Sequence, residues 1–409
     1  MSGRRRRAEA LVRRLVGSGF PFMPWPGDHP VRRLRHQIRR AMFARHPFWR
    51  RAPLKTIMTL GWPLGAVWET GHQLVRMPVA DRPTRASGWI SRGADMLAQA
   101  WSNNVPPRNY VAYRLHDPRR RDRIARNLYE PELAVVTAHL NRLAGAVGDD
   151  VQDKARFAEL CRAHGLPCIP TLAVFRNGSQ CVPSSPFLPD APDLWVKDLA
   201  GSRGSGAARW RREGAAYRHA WNGASCSPAA LVAQWAQADC IVQPCLENHP
   251  SLAPLSDGSL VVFRIITGID CAGCVTVVDA MAQLPYGGPA GRQIFAAVGE
   301  AGDLRNPRLR GRHPIADHPD TGAVLAGAVV PFWRDAIDLV VRAHGSVPEF
   351  ARFIFLGWDV AITDDGPLLI ETNHGWGEFN HQLGDGVPLG DTALTGIALE
   401  HLEGGSRCG

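Results

Sequence analysis

An α+β fold is predicted by three features of the sequence. Apolar residues at helical spacing dominate residues 1–150, short β-rich runs separated by turn signals occupy much of the remainder, and two such runs near the C-terminus flank an Asp-Asp-Gly-Pro turn. Helices gathered at one end and strands at the other form the α+β pattern.

The hairpin spans Gly357 to Asn373. With Asp364 to Gly366 as its loop, Thr363 stands opposite Pro367 and Asp359 opposite Glu371, on one face because side chains alternate with period two. Asn373 shares that face. Carboxylates opposed across a hairpin stand with Cβ atoms roughly 4.5–5.5 Å apart and repel, so a positive charge is expected between them. Mg²⁺ commonly takes one or two carboxylates and completes its octahedron with waters and the phosphate oxygens of a nucleotide; Asn373 adds a neutral oxygen. Two acids and an amide alone fit a solvated hairpin face equally well. Val360, Ile362, Leu368 and Ile370 on the other face tip the balance, because they bury one side and turn the acids to a cleft or to solvent.

With 409 residues and 45% hydrophobic content, the chain can bury a sizeable core in two or three domains. The net charge of +9 and pI of about 9.4 come largely from arginine and favour anionic partners: nucleotides, phosphosugars, nucleic acid or an acidic membrane surface. The nine cysteines are scattered. Only Cys271 and Cys274 have C-x-x-C spacing, with no complementing pair, so a zinc site is not expected and the thiols read as small packing residues in a reducing compartment. The basic N-terminus lacks an apolar signal core, and no stretch approaches the ~20 apolar residues that span a bilayer. A cytoplasmic location is expected.

Residues 1–50 form a basic arm, with Arg4 to Arg7, Arg13, Arg14, Arg32, Arg33, Arg35, Arg39, Arg40, Arg45 and Arg50 against Glu9 and Asp28. Within it Val31, Leu34, Ile38 and Met42 recur at helical spacing and predict an amphipathic helix over 31–45. Such a helix can lie on anionic lipid, contact nucleic acid, or dock on the body of the protein. Docking is the favoured reading, with Phe43, Phe48 and Trp49 as anchors. Leu54 to Met77 reads as a buried or interfacial helical segment, and helices are expected at Arg92 to Trp101 and at Pro131 to Leu143, the latter with Leu133, Val136, Leu140 and Leu143 on one face. Residues 1–150 are therefore expected to be a mostly helical region, followed by a second unit over 151–405 that divides into 151–240 and 241–405.

Asp153-Lys154 opens a helix with Phe157, Leu160 and Cys161 as its stripe and Gly165 as its stop. Strands are expected at Ile169 to Phe175, Leu194 to Asp198, Ala207 to Arg211, Cys240 to Pro244, Ser259 to Gly268 and Val275 to Leu284, with a helix at Val324 to His344. Lys197 lies in apolar company and needs a partner. Directly after its strand, Gly201-Ser202-Arg203-Gly204-Ser205-Gly206 is a strand–loop–strand flap whose backbone N–H groups can approach phosphates, since glycine removes the Cβ and permits φ > 0; an ordinary hairpin tip is the bland alternative. It is not a Walker loop, which runs into a helix through Gly-Lys-Ser/Thr. Arg264, flanked by Val262, Phe263, Ile265 and Ile266, must find an anion if buried: a structural partner such as Asp279, or a phosphate. A loop of glycines, prolines and arginines that includes Arg292 follows Leu284.

Taken in order, Asp153-Lys154, Lys197 before the flap, Gln243-Pro244-Cys245-Leu246 at a strand end, Arg264, and Asp359 with Glu371-x-Asn373 resemble the ATP-grasp superfamily. The phrase Gly357 to Thr363 with Gly366 to Glu371 resembles its sugar-transfer-associated, alpha-L-glutamate-ligase-related branch, over roughly residues 105–402. The resemblance implies an ATP-grasp fold in which two α+β lobes clasp ATP. Lys154 and Lys197 would contact phosphates, Gly201, Ser202, Gly204, Ser205 and Gly206 would close over them, and Gln243, Pro244, Cys245 and Leu246 would receive the adenine. Asp359, Glu371 and Asn373 would ligate Mg²⁺, with Mn²⁺ as an alternative, and Arg264 would support the γ-phosphate.

The reaction implied is ATP-dependent joining of a small carboxylate to an amine through an acyl phosphate, with an amino acid and a sugar or cell-envelope precursor as substrates. Two departures bear on the acceptor: His374-Gly375-Trp376-Gly377-Glu378-Phe379 replaces the usual Pro-Gly-type turn, and residues 285–303 lack the branch's Asp-Asn and Gly-Gly arrangement. They leave room for a non-catalytic ATP-binding component of a polysaccharide or envelope assembly, brought to an anionic membrane by the arginine-rich arm. Nucleic-acid binding is disfavoured, since aromatic residues do not interleave with the basic ones and no zinc or helix-turn-helix signature occurs.

Overall fold

The computed structural model describes residues 27–44, 46–78, 81–201, 206–288, 291–309, 314–377, 379–382 and 387–404. Helices α1 (Pro30–Ala44), α2 (Phe48–Arg76), α3 (Ala86–Asn103), α4 (Pro107–Ala112) and α5 (Glu130–Leu143) precede the sheets. α6 (Asp149–Gln152) and α7 (Lys154–Ala163) lead into them; α8 (Pro228–Trp235), α9 (Trp333–Ser346) and α10 (Pro348–Ala351) lie between strands, and α11 (Phe379–Gln382) and α12 (Ala393–Glu403) come after the last one. Arg4 to Arg7, Arg13, Arg14 and Arg45 of the basic arm lie outside the described residues.

Within α1 the predicted stripe of Val31, Leu34, Ile38 and Met42 is buried, in a core shared with Leu133, Val136 and Leu140 of α5 and Leu394, Ile397 and Ala398 of α12. Its polar face is partly engaged internally: Arg35 Nε lies 2.6 Å from Glu132 Oε1 and Arg33 Nη2 2.5 Å from Glu403 Oε2. Docking is therefore what this helix does. Phe43 anchors it, whereas Phe48 and Trp49, expected to help, are exposed, as is Leu143 on α5. α2 runs antiparallel to α3, with Trp62 Nε1 donating to the carbonyl of Ala100 at 3.0 Å and Leu74 packing at Gly93.

Two antiparallel sheets follow. One joins β1 (Ala173–Arg176), β2 (Ser179–Val182), β3 (Asp193–Asp198), β4 (Ala208–Glu213), β5 (Ala216–His219), β6 (Ser225–Cys226) and β7 (Cys240–Pro244) in the order β2-β1-β7-β3-β4-β5-β6. The other joins β8 (Val262–Ile269), β9 (Val275–Tyr286), β10 (Arg292–Val298), β11 (Leu304–Leu309), β12 (Phe355–Thr363) and β13 (Gly366–Asn373) in the order β11-β10-β9-β8-β12-β13. β1 starts four residues later than expected because the Ile169 N–H is taken by the Leu369 carbonyl at 3.2 Å, a tie between the two sheets. β10 and β11 occupy the stretch expected to be loop. α9 starts at Trp333 rather than Val324, since Phe332 turns at φ 51° and Val324 and Val329 bridge to Asp317 and Asp303.

Alternation along β12 sets both sides of the second sheet. Leu356, Trp358, Val360 and Ile362 pack into the core beneath α9, while Phe355 faces the α1–α5–α12 core. Gly357 and Asp359 share the side of Phe355 by period two. Trp376 lies over Gly357, where an added Cβ would come 3.0 Å from the Trp376 Cβ. The helical region thus covers one end of this face and leaves the acids at the edge of the covered part.

A single glycine shows how tightly the region is joined. Gly390 donates its N–H to the Arg126 carbonyl at 3.0 Å, and a Cβ there would sit 2.1 Å from that oxygen and 2.4 Å from Val31 Cγ2. Because backbone cannot yield as a flexible side chain does, Gly390→Ala is expected to destabilise the fold by about 1–3 kcal/mol, read from urea denaturation; an unchanged midpoint would contradict this packing.

Candidate functional site

The hairpin turn holds two residues, Asp364 and Asp365, not three, with Gly366 at φ 110°. Thr363 accordingly pairs with Gly366 and not with Pro367. A bulge at Ile370 then restores the expected register, so that Asp359 faces Glu371 and Gly357 faces Asn373. The same shift corrects the apolar side: Leu369 fills the core opposite Val360, whereas Leu368 and Ile370 are only half-buried. Leu368 stands opposite Ala361, on the side of the acids.

On its other side Asp359 pairs across the sheet with Arg264 of β8. The guanidinium forks onto the carboxylate, Nε to Oδ1 and Nη2 to Oδ2, the latter at 2.8 Å. Asp359 is therefore the protein partner of Arg264; Asp279, one of the two kinds of anion weighed from sequence, is instead bonded to His381 Nδ1. Nη1 of Arg264 has no protein acceptor among the described residues. Burial pushes the Asp359 carboxyl above the ordinary range, Arg264 opposes that, and the neighbouring Glu371 adds to it. Burial pulls the Arg264 guanidinium down, but Asp359 and Glu371 outweigh it and hold it raised.

Asn373 donates Nδ2 to Glu371 Oε1 at 3.3 Å. Asp359, Glu371 and Asn373 thus form an all-oxygen set, and among the described residues no cluster of three or more His, Cys, Asp or Glu offers a rival metal site. Two opposed carboxylates and an amide fit a hard divalent cation such as Mg²⁺ or Mn²⁺ that keeps several outer positions for water or phosphate.

Across the cleft, Lys197 of β3 shares a strand face with Asp193 and Trp195, opposite to the buried Leu194 and Val196. Burial lowers its pKa; Glu371 and Asp359 pull it back up, and nearby Lys154 lowers it further. Lys154 begins α7, whose first turn is capped by Asp153, the acceptor for the N–H groups of Ala155 and Arg156 at 3.0 and 2.9 Å. Lys154 Nζ donates to the Gly201 carbonyl at 2.6 Å, so one lysine is tied to the stem of the glycine-rich loop. Ser202, Gly204 and Ser205 lie outside the described residues. At the far stem Gly206 adopts φ 71°, and a Cβ there would overlap the Asp198 carboxylate at 2.0 Å; only glycine fits.

Gln243 is buried on β7 opposite Trp195, and Pro244 pairs with Leu194. Cys245 donates its N–H to the Asp193 carbonyl at 3.0 Å, and burial pushes its thiol up to about 11. Leu246 follows, half-buried. Of the described cysteines, Cys274 is a free thiol, so the C-x-x-C pair does not close on itself.

One element was not foreseen from sequence. Beyond Arg264 the cross-strand row continues through Met281 and Ala297, and a cavity opens there lined by Asp279, Phe295, Arg308, Asn380 and His381. The Asn380 Oδ1 atom is buried without a hydrogen-bond partner among the described residues. Asp279 alone carried a signal, as a charge inside an apolar strand; β10 and β11 were hidden by their glycine- and arginine-rich flanks.

Residues 144–393 match the family model for sugar-transfer associated ATP-grasp proteins. The chain belongs to that family. Its two sheets are the two lobes of an ATP-grasp fold, with a helical N-terminal region packed against the second. No curated protein matches the chain. Similar solved structures include purK, an N5-carboxyaminoimidazole ribonucleotide synthetase (12% identity, TM-score 0.33, 57% of this chain and 50% of that one). An L-amino acid ligase from Bacillus licheniformis is similar at 12% identity and TM-score 0.38, over 71% of this chain and 60% of that one. A D-alanine-D-alanine ligase from Helicobacter pylori is similar at 12% identity and TM-score 0.35, over 61% of each. The chain spans 50% to 61% of the length of these proteins.

The lowered Lys197 makes a testable point about cost. Its folded pKa lies below its unfolded one, so the charged ammonium destabilises the ligand-free protein fully below the lowered pKa, and stability recovers as pH rises towards the ordinary lysine value. Lys197→Met is expected to raise the melting temperature of the ligand-free protein at neutral pH, an advantage that shrinks in that alkaline window, while ATP affinity falls roughly tenfold or more. Loss of stability with unchanged ATP affinity would contradict this role.

Proposed function

We propose that the chain is an ATP-dependent carboxylate–amine ligase that works through an acyl phosphate. The observation that carries the reading is the opposed pair Asp359 and Glu371, gripped by Arg264 on one side and within the electrostatic reach of Lys197 on the other. In this reading Asp359, Glu371 and Asn373 hold Mg²⁺ or Mn²⁺, which when bound neutralises charge on the transferring phosphoryl group. Lys154 and Lys197 bind phosphate oxygens, the loop of Gly201, Ser202, Gly204, Ser205 and Gly206 closes over them, and Gln243, Pro244, Cys245 and Leu246 receive the adenine. ATP supply fits the cytoplasm.

A substrate carboxylate oxygen attacks the γ-phosphorus, the bond to the ADP oxygen breaks, and an acyl phosphate forms. Arg264 Nη1 steadies the developing charge. The amine's lone pair then attacks the acyl carbon, phosphate departs with the electrons of the C–O bond, and the nitrogen gives up a proton. Such chemistry asks the protein for alignment and charge compensation, not for a nucleophile. The cavity past Met281 has room for about one water, and its Asp279–His381 pair is placed to take the amine's proton through that water. We take the substrates to be an amino acid and a sugar or cell-envelope precursor, a reading in which only the sugar comes from the family description.

Hydroxylamine converts acyl phosphates into stable hydroxamates. With ATP, Mg²⁺ and pooled amino acids and phosphosugars, the protein is expected to release ADP and phosphate and to give a hydroxamate with one pool. His381→Ala is expected to keep hydroxamate formation and lose at least tenfold in amide product. ATP binding without ADP release on any pool would overturn the ligase reading and favour a non-catalytic ATP-binding component of an envelope assembly.

A further inference from the structure

Helix α2 carries an apolar face that nothing among the described residues covers. Ile57, Leu60, Leu64, Val67, Trp68 and Val75 recur at three- and four-residue spacing, and their exposure runs from 42% for Trp68 to 80% for Val75. Thr56 and Gly71 complete the exposed positions from 56 to 75, so the stripe carries no charge over about 27 Å at 1.5 Å per residue. The opposite face is the one that packs, through Trp62, Gly65, Ala66 and Thr70. Exposed apolar surface on this scale marks an interaction site. Among the described residues no helix is long and apolar enough to cross a membrane, so α2 can lie on a bilayer but not span it.

Charge identifies the occupant. Arg50, Arg51 and Lys55 stand exposed at one end of the stripe, and Arg76, Arg82 and Arg85 at or just past the other. The three acids of residues 46–103 are occupied within the fold: Asp81 pairs with Arg114 at 3.1 Å, Asp95 with Arg121 at 2.7 Å, and Glu69 is half-buried beside Arg108. Any two-fold pairing of the stripe with a second copy sets one basic collar against another. Beside the first collar lies a hollow lined by Arg40, Arg51, Lys55, Gln37, His139 and Phe43. Its acid, Glu403, is held by Arg33 and Gln37, and Arg40 makes no side-chain hydrogen bond or ion pair among the described residues. The exposed Phe48, Trp49 and Trp68 supply the aromatic side chains that settle at headgroup level.

We propose that α2 is a membrane-surface helix: its apolar stripe enters the interface of an anionic phospholipid bilayer, and the hollow of Arg40, Arg51 and Lys55 receives a lipid headgroup phosphate. The inference rests on α2, its flanking basic residues and the hollow beside it, and is independent of the ligase reaction. It assigns surface binding to a folded helix rather than to the arginines that precede it.

Flotation of the full chain with vesicles tests it. The protein is expected to float with phosphatidylglycerol–phosphatidylcholine vesicles and at least tenfold less with phosphatidylcholine alone. Leu60→Glu/Leu64→Glu/Val67→Glu, substitutions at exposed positions, is expected to lose at least tenfold in flotation. Arg40→Ala/Lys55→Ala is expected to erase the preference for anionic lipid. Quenching of tryptophan emission by brominated acyl chains, reduced in Trp49→Phe/Trp68→Phe, gives a readout that does not depend on the glutamate variant folding. Four outcomes would overturn the proposal: no flotation, flotation unchanged in the glutamate variant, flotation abolished only by deleting residues 1–26, or a dimer in light scattering that the glutamate variant dissociates.

Discussion

Two carboxylates held face to face in a nearly dry sheet are the constraint around which this protein is arranged. Asp359 is 7% exposed, lies opposite Glu371, and has burial and like charge both acting to hold its proton. Left alone, such a pair repels and favours opening of the hairpin. Arg264, next to it on β8, supplies a permanent positive charge in a two-pronged geometry and opposes the rise in the Asp359 pKa. Lys197 approaches from the other lobe with its own charge weakened by burial. The site thus sets two acids and Arg264 on one sheet against Lys197, with Lys154 near it, on the other side.

Packing explains why this balance sits where it does. The face of β12 that bears Asp359 is sealed at the Phe355 end by α1, α5 and α12, and Trp376 closes over Gly357. One strand therefore passes from a core contact to a cleft within four residues. The helical region is more than an appendage, since it forms the wall against which the acids are set. Among the described residues its second helix is packed on one side only, so the body that shields the site also exposes an apolar stripe.

Much of this was legible in the sequence, and the misses share a cause. The opposition of Asp359 and Glu371 follows from period-two alternation, and it survived an error of one residue in the turn because the bulge at Ile370 compensated. That bulge breaks strict alternation, and no residue type announces it, which is why Leu369 rather than Leu368 enters the core. The α1 stripe was readable because four apolar residues at helical spacing need burial. Trp49 and Phe48 misled for the complementary reason: large apolar residues are usually buried, and these are not. Arg264 was seen to need an anion, but which one depends on strand order, and β8 lies beside β12 only through a connection of nearly ninety residues between Ile269 and Phe355. Asp279 and His381 are about a hundred residues apart and meet by the same long-range topology.

The most direct test of the account is calorimetric titration of ATP with and without Mg²⁺ on the wild type and on Glu371→Gln, a substitution that keeps the shape of the pair and removes one charge. ATP binding strengthened by Mg²⁺ in the wild type, with that strengthening lost in the variant, is the result predicted. ATP affinity indifferent to Mg²⁺ in both proteins would contradict it and leave the Asp359–Glu371 pair as a structural feature of the sheet.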